Sequence, residues 1–209
     1  MLFKDRIDAA ILLARKLIQY KNKKNIILLA LPRGGVIIGK ELSNILNLPL
    51  DIISPKKIPA PFQKELAIGA VCLDEHILNE ELISSLNIDL NYIQEAIKLE
   101  KKESNRRMQL YRKNLPPLKI NNKTIILIDD GIATGATIEV TIKYLKKLHP
   151  KKIIIAVPVA PREQIEKLKT QCNEVISLYT PLNFFAIAQF YEDFRQVEDE
   201  EVIKIIHGD

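Results

Sequence analysis

Two cysteines in 209 residues, Cys72 and Cys172, stand far apart with no CxxC spacing. They form neither a disulfide framework nor a zinc site, and read as apolar residues of a reducing compartment. Histidine is almost as scarce. His76, His149 and His207 are scattered, which argues against a zinc centre or a nucleophilic triad and leaves each as a surface or packing residue. No apolar run nears the ~18 residues that a membrane-spanning helix needs. Lys4, Asp5, Arg6, Asp8, Arg15 and Lys16 break up the first eighteen residues, so these do not read as a secretory signal. The expected location is the cytoplasm, with no membrane partner. Two nucleotide-binding patterns are also missing. There is no GK[ST] ending of a Walker loop, and the Gly34, Gly35, Gly39 turn precedes a strand that begins, rather than ends, with an acid, Asp51.

What is present is an ordinary globular composition, 47% hydrophobic and 27% charged. A chain of this length buries roughly 70% of its unfolded surface and needs no staples. The net charge of +5 and pI near 9.1 fit nucleic acid or anionic small molecules such as phosphates. Lysine, isoleucine and asparagine are plentiful throughout, however, so charge alone discriminates little.

Periodicity predicts the elements. Phe3, Ile7, Ala10, Ile11, Ala14, Leu17 and Ile18 fall at helical spacing, giving an amphipathic helix over 3–20. The apolar run 26–31, bounded by Asn25 and Pro32, reads as a strand buried on both faces. A helix over 36–46, a strand over 50–54 and a further strand over 67–73 follow. Residues 79–86 and 89–113 read as helices, the longer one either solvated or a dimer arm or lid. Beyond Pro116 and Pro117 come strand 124–129, helix 135–148, strand 152–157, helix 161–170 and strand 174–179. This alternation predicts an α/β fold, a mostly parallel sheet with helices on both faces. The core would span 1–179, with a helical insertion at about 79–115, and the aromatic segment 180–209 would form a small cap.

The chemistry concentrates at one strand end. Thr124 to Ile128 deliver Asp129 and Asp130 to the carboxyl edge of the sheet, where open α/β sheets collect ligands. Gly131 and Gly135 permit tight turns, and a helix starts at once, offering unpaired N–H groups to a phosphate. Thr134 and Thr137 add hydroxyl donors. Two adjacent carboxylates beside a phosphate cradle suit a sugar phosphate, by accepting from vicinal hydroxyls or by facing a divalent cation.

The run Leu127-Ile128-Asp129-Asp130-Gly131-Ile132-Ala133-Thr134-Gly135-Ala136-Thr137 resembles the phosphoribosyl pyrophosphate signature of type I phosphoribosyltransferases. Nearly the whole chain is similar to bacterial stand-alone phosphoribosyltransferase-domain proteins of unsettled substrate, through residues 31–36, 65–71, 184–186 and 189–194. The resemblance implies that Asp129 and Asp130 bind the ribose 2- and 3-hydroxyls. Ala133, Thr134, Gly135, Ala136 and Thr137 would hold the 5-phosphate. It implies a pyrophosphate loop at Arg33, Gly34 and Gly35, where such proteins often carry a cis peptide, although a plain strand–helix turn would look the same. Arg33 would act with the two acids in catalysis. Lys56 and Lys57 either contact pyrophosphate or are merely solvated.

Mg²⁺ is the implied cofactor, held by substrate oxygens and by Asp129 and Asp130, directly or through water. A homodimer is the default assembly. Relatives acting on 6-oxopurines carry an aspartate base where this chain has Ala133, so a base must come from elsewhere, with Glu65 and Asp193 as candidates. Residues 57–66 could form a lid. Phe184, Phe185 and Tyr179 could stack on a flat acceptor or simply seal the cap. The implied activity is transfer of phosphoribosyl to a nitrogen acceptor, with water as a competing one. The alternative is a non-catalytic regulator or nucleic-acid binder that uses the same sugar-phosphate site as a sensor, a role the Arg106, Arg107, Arg112, Lys113 cluster would serve, though no recognition helix or RNA-binding motif supports it.

Overall fold

The computed structural model describes residues 2–208. Its centre is a five-stranded parallel sheet built from β1 (Ile26–Ala30), β2 (Leu50–Ile52), β6 (Thr124–Ile128), β7 (Lys152–Val159) and β8 (Glu174–Tyr179), in the order β2-β1-β6-β7-β8. The strands alternate between two cores. Leu28, Ala30, Ile126, Ile128, Ile154 and Ala156 face the helices α1 (Arg6–Lys16), α2 (Gly34–Leu46) and α7 (Asp199–His207). Ile27, Leu29, Ile125, Leu127, Ile153 and Ile155 face α5 (Ala136–Lys146) and α6 (Arg162–Lys169). Each of these side chains leaves water almost completely, at about 1.5–3 kcal/mol for each leucine or isoleucine. This is the α/β architecture that the alternating pattern implies. No described helix is long and apolar enough to cross a membrane.

A second sheet stands beside the first. β3 (Lys56–Ala60), β4 (Gln63–Cys72) and β5 (Glu75–Leu78) run antiparallel, and the strand expected over 67–73 belongs here. Residues 57–66, read from sequence as a lid, are mostly strand, with the fully exposed Phe62 at the tip of the hairpin. Three prolines disguise β3. Its Pro59 is accommodated because β3 is an edge strand and its pairing shifts register there. Ile58, Ile68 and Val71 pack with Ile83 of α3 (Glu80–Ser85) and with Ile93 and Ala96 of α4 (Leu90–Tyr111). The long helix α4 therefore packs one face on the second sheet and leaves its other face to solvent. The buried Ser104 Oγ donates to Ser54 O at 2.6 Å and accepts from Leu73 N at 3.1 Å, and Tyr111 is buried outright.

The helix expected over 3–20 is shorter at both ends. Asp5 caps it by accepting from Asp8 N at 2.8 Å, the preferred chemistry at a helix start. Phe3 instead bridges to Tyr191. Phe3 N donates to Phe190 O, Glu192 N to Phe3 O and Asp193 N to Lys4 O, so the two ends of the chain lie together. Phe184, Phe190, Tyr191 and Phe194 gather around Phe3 and Val159, and beyond them α7 packs against α2 and α4.

Candidate functional site

The strand order reverses direction between β1 and β6. Ligands of open α/β sheets bind at such a switch point, beyond the carboxyl ends of the strands. Arg33 follows β1 and Asp129 follows β6, so the sheet brings both to the same crevice. The bond between Pro32 and Arg33 is cis. Gly34 and Gly35 then lie directly against the acids. A Cβ on Gly34 would fall 1.8 Å from Asp130 Oδ2, and one on Gly35 would fall 3.3 Å from Asp129 Oδ1. A side chain at Gly34 would displace Asp130, and one at Gly35 would press on backbone, 2.9 Å from Ile128 O and 3.0 Å from Asp129 Cα, which accounts for the two glycines at this helix start.

Asp130 is buried; its Oδ2 accepts from Arg6 Nε at 2.9 Å and lies 2.9 Å from Arg6 Nη2 in an ion pair. Its backbone carbonyl accepts from Tyr191 Oη at 2.7 Å. Asp129 Oδ1 accepts from Asp130 N at 2.9 Å. Among the described residues nothing donates to Asp129 Oδ2 or Asp130 Oδ1. Burial pushes both carboxyls up; at Asp129 the charge of Asp130 adds to the rise, and at Asp130 the Arg6 guanidinium opposes it. Arg6 escapes sequence reading, although a signal existed: it occupies a core position of α1, in register with Ala9, Ala10 and Leu13.

Beyond the acids, Gly135 caps α5 in the left-handed region, φ 79°. From Ala133 to Ile138 no backbone N–H finds an acceptor among the described residues; the first bond of the helix runs from Glu139 N to Gly135 O. Six successive donors and the positive end of a helix thus converge on one loop, an arrangement that grips an anion. Thr134 Oγ1 and Thr137 Oγ1 are likewise free of partners among the described residues. Glu139, the acid of the first turn, is engaged by Lys167 Nζ at 2.6 Å. Gln164 reaches the loop from α6. Its buried Oε1 has no partner among the described residues and would lie 2.9 Å from a Cβ on Gly135. Nothing in the sequence marks it.

The other expected residues are distributed around this crevice. Arg33 Nη1 lies 3.3 Å from Asp199 Oδ1 and 3.9 Å from Glu198 Oε2, and Tyr111 Oη donates to the same Asp199 oxygen at 2.6 Å. Burial alone would raise the Asp199 carboxyl, but these hydrogen bonds from Tyr111 and Arg33 hold it below its ordinary value. Lys56 and Lys57, successive in a strand, point to opposite faces. Lys56 is half-buried, and desolvation followed by the charges of Arg107 and Arg33 pushes its ammonium down. Lys57 instead lines a cleft of about 730 Å³ with Glu65, Thr134 and Ala136.

Phe184 and Phe185 wall another cleft, of about 700 Å³, with Ala133, Thr134 and Arg162. Phe184 stacks at 5.5 Å on Phe190, whereas Phe185 is 89% exposed. Asp193 joins neither cleft. Its Oδ1 accepts from Arg195 N, and it borders a cavity of about 70 Å³ with Asp5, Arg6 and Ile37. Among the described residues no group of three or more His, Cys, Asp or Glu is arranged to hold a metal ion. The oxygen donors at 129 and 130 suit a hard cation that keeps most of its water and leans on substrate oxygens.

A parallel sheet with an acid pair and a helix start rich in free N–H groups at its switch point defines an α/β protein with a crevice suited to an anionic ligand. Residues 76–195 match the model of the phosphoribosyl transferase domain, and the chain belongs to that family. It is 33% identical to TT1426 from Thermus thermophilus, over 99% of this chain and 98% of that one, with a TM-score of 0.80. A Mycobacterium tuberculosis protein named "Putative phosphoribosyl transferase" is 34% identical over 98% of this chain. The chain spans only 46% of that relative's length. A hypoxanthine-guanine phosphoribosyltransferase from Bacillus anthracis shares the fold at 13% identity, covering 90% of this chain and 89% of that one, with a TM-score of 0.51.

Proposed function

We propose that the chain binds phosphoribosyl pyrophosphate with Mg²⁺ and transfers the phosphoribosyl group to a nitrogen acceptor. The observation that carries this reading is the run of six N–H groups from Ala133 to Ile138, and two nearby carboxylate oxygens, that find no partner among the described residues. The loop and the hydroxyls of Thr134 and Thr137 hold the 5-phosphate. Asp129 Oδ2 and Asp130 Oδ1 accept from the ribose 2- and 3-hydroxyls. The N–C1 bond forms as the C1–O bond to pyrophosphate breaks, and the bonding electron pair leaves with pyrophosphate.

The transition state carries positive charge on the sugar ring, which the acid pair beneath it favours. Arg33 offsets the negative charge on the leaving group, and Lys56, which feels the field of Arg33, supplies a second cation there. When bound, Mg²⁺ adds positive charge to the departing pyrophosphate, with Asp129 and Asp130 as its protein oxygens, direct or through water. The acceptor's proton needs a base, and Ala133 is none. Of the two candidates, Glu65 shares a cleft with the phosphate loop whereas Asp193 borders a different cavity. The hairpin carrying Glu65 limits access of competing water. Phe184 and Phe185, beside Ala133, offer faces to a flat acceptor.

A regulator built on basic side chains finds less support. Arg106 and Arg107 both donate to Glu103, and Arg112 donates to Asp51 at 2.7 and 3.0 Å, so three of the four cations in that cluster are already paired.

Thermal denaturation with phosphoribosyl pyrophosphate and Mg²⁺ tests the reading. Ligand at ~100 times its dissociation constant adds about 2.7 kcal/mol, and Asp129→Asn with Asp130→Asn removes the gain. No shift, and the same melting behaviour in that variant, would overturn the assignment. Pyrophosphate release across a panel of nucleobases then identifies the acceptor.

A further inference from the structure

We infer that Arg6, in the first turn of α1, is a positioning residue of the sugar site: it fixes Asp130 so that one carboxylate oxygen is held by the protein and the other is left for the ribose. The inference rests on the sugar-phosphate reading and deepens it. Arg6 is 8% exposed, and each nitrogen of its planar head meets an oxygen. Nε and Nη2 both meet Asp130 Oδ2 at 2.9 Å, Nη1 donates to Arg195 O at 2.8 Å, and the guanidinium lies 3.9 Å from the Phe194 ring centroid. Because both donors converge on one oxygen, Oδ1 stays available. Tyr191 fixes the carbonyl of the same residue, so backbone and carboxylate are each pinned.

Holding the two ends of the chain together does not require Arg6. Three backbone hydrogen bonds between residues 3–4 and 190–193 already do that. A buried ion pair is in any case weak evidence for stability, since desolvation offsets much of its attraction. The geometry instead matches what a sugar site demands. Gly34 is excluded from bearing a Cβ by Asp130 Oδ2 at 1.8 Å and by Arg6 Nε at 2.8 Å, so the loop after β1, the acid after β6 and the first turn of α1 share one fitted contact. A compact ammonium has no planar fork to reach Asp130 and Arg195 from separate nitrogens while stacking on Phe194.

The test is calorimetric binding of ribose 5-phosphate without divalent cation, then of phosphoribosyl pyrophosphate with Mg²⁺. It uses the wild type, Arg6→Lys, Arg6→Met, Asp130→Asn and the double variants, with melting curves to confirm folding. Loss of a positioning group costs about 10- to 100-fold. Arg6→Lys should stay folded and sit near the lower figure, and Arg6→Met near the upper one. In the Asp130→Asn background either change at Arg6 should cost less than about twofold more, because the residue acts through Asp130. Folded Arg6→Lys with wild-type affinity, or losses that simply multiply in the double variant, would overturn the inference while leaving the function intact. If Arg6→Met fails to fold, the Arg6→Lys cycle decides by the same two outcomes. A wild type that binds neither sugar phosphate overturns the functional reading, and this inference with it, before any variant is made.

Discussion

Between Ala133 and Ile138 the chain presents backbone donors with no partner among the described residues, whereas at Asp130 and Arg33 the neighbouring part of the crevice is built from side chains that already have one. The difference follows from desolvation. N–H groups at an open helix start are served by water at little cost, but a buried charge without a partner is expensive. Asp130 is therefore paired with Arg6, and Arg33 with Asp199. A phosphate entering the loop replaces water. On the proposed function, a pyrophosphate reaching Arg33 would instead compete with a carboxylate. The loop is ready as it stands, while the cationic side holds a contact that substrate has to displace.

The largest effect should come from joining the two regions by force. In Gly34→Ala the new methyl would sit 1.8 Å from Asp130 Oδ2, so acid, arginine or loop must move. Overpacking of this kind costs about 1–3 kcal/mol, and misplacing the acid should weaken sugar-phosphate binding about 100-fold. Melting curves and calorimetry read the two losses separately; wild-type affinity in this variant would show that the acid pair does not touch the sugar. A smaller effect belongs to the backbone side. Gly135→Ala puts a side chain at φ 79° and 2.9 Å from Gln164 Oε1. The left-handed conformation costs an ordinary residue about 1–2 kcal/mol, and the 5-phosphate should be held less tightly. If binding is unchanged, the loop is more adaptable than its geometry implies.

What could be read from sequence divides along the same line. The cradle is contiguous: strand, acids, glycine turn and helix start succeed one another from Thr124 to Thr137, so local spacing reveals it. β1, β6 and β7 are legible for a similar reason, as apolar runs buried on both faces. The partners that hold the charged side chains arrive from far away. Arg6 and Asp130 are separated by 124 positions, and Arg33 and Asp199 by 166. No periodicity encodes such a meeting. β3 is hidden by prolines that only an edge strand with a register shift tolerates. α7 left better clues. Asp199, Glu200 and Glu201 begin it, Lys204 and His207 end it, and Gly208 caps it, the charge order that complements a helix dipole.

Lys56 offers a gentler way to sharpen the contrast. Burial and then Arg107 lower its pKa in the folded state. A lysine whose folded value is depressed penalises folding while it is charged, and the penalty fades as pH rises through that value. Lys56→Met should therefore melt higher than the wild type at neutral pH, with the gap closing as the solution is made alkaline. The same variant should bind pyrophosphate more weakly. A neutral or lower melting point would mean that Lys56 supports the fold rather than waiting for an anion.

The smallest effect, and the most direct probe of the competing contact, is expected for Asp199→Asn. In the wild type the hydrogen bonds from Tyr111 and Arg33 outweigh burial and hold the Asp199 carboxyl below the ordinary aspartate value. A carboxyl depressed on folding contributes stability above its unfolded value, near ~3.9, and loses it as pH falls through the folded one. The wild type should thus lose stability on acidification through that window, and Asp199→Asn should lack this share of the loss. Asparagine keeps an acceptor for Tyr111 but removes the charge that draws Arg33. Pyrophosphate should then bind more tightly to the variant than to the wild type at neutral pH, a gain that high salt would erase. If affinity falls instead, Asp199 is orienting Arg33 toward the anion rather than competing for it, and the contrast between a ready loop and an engaged arginine would collapse into two regions that are both preorganised.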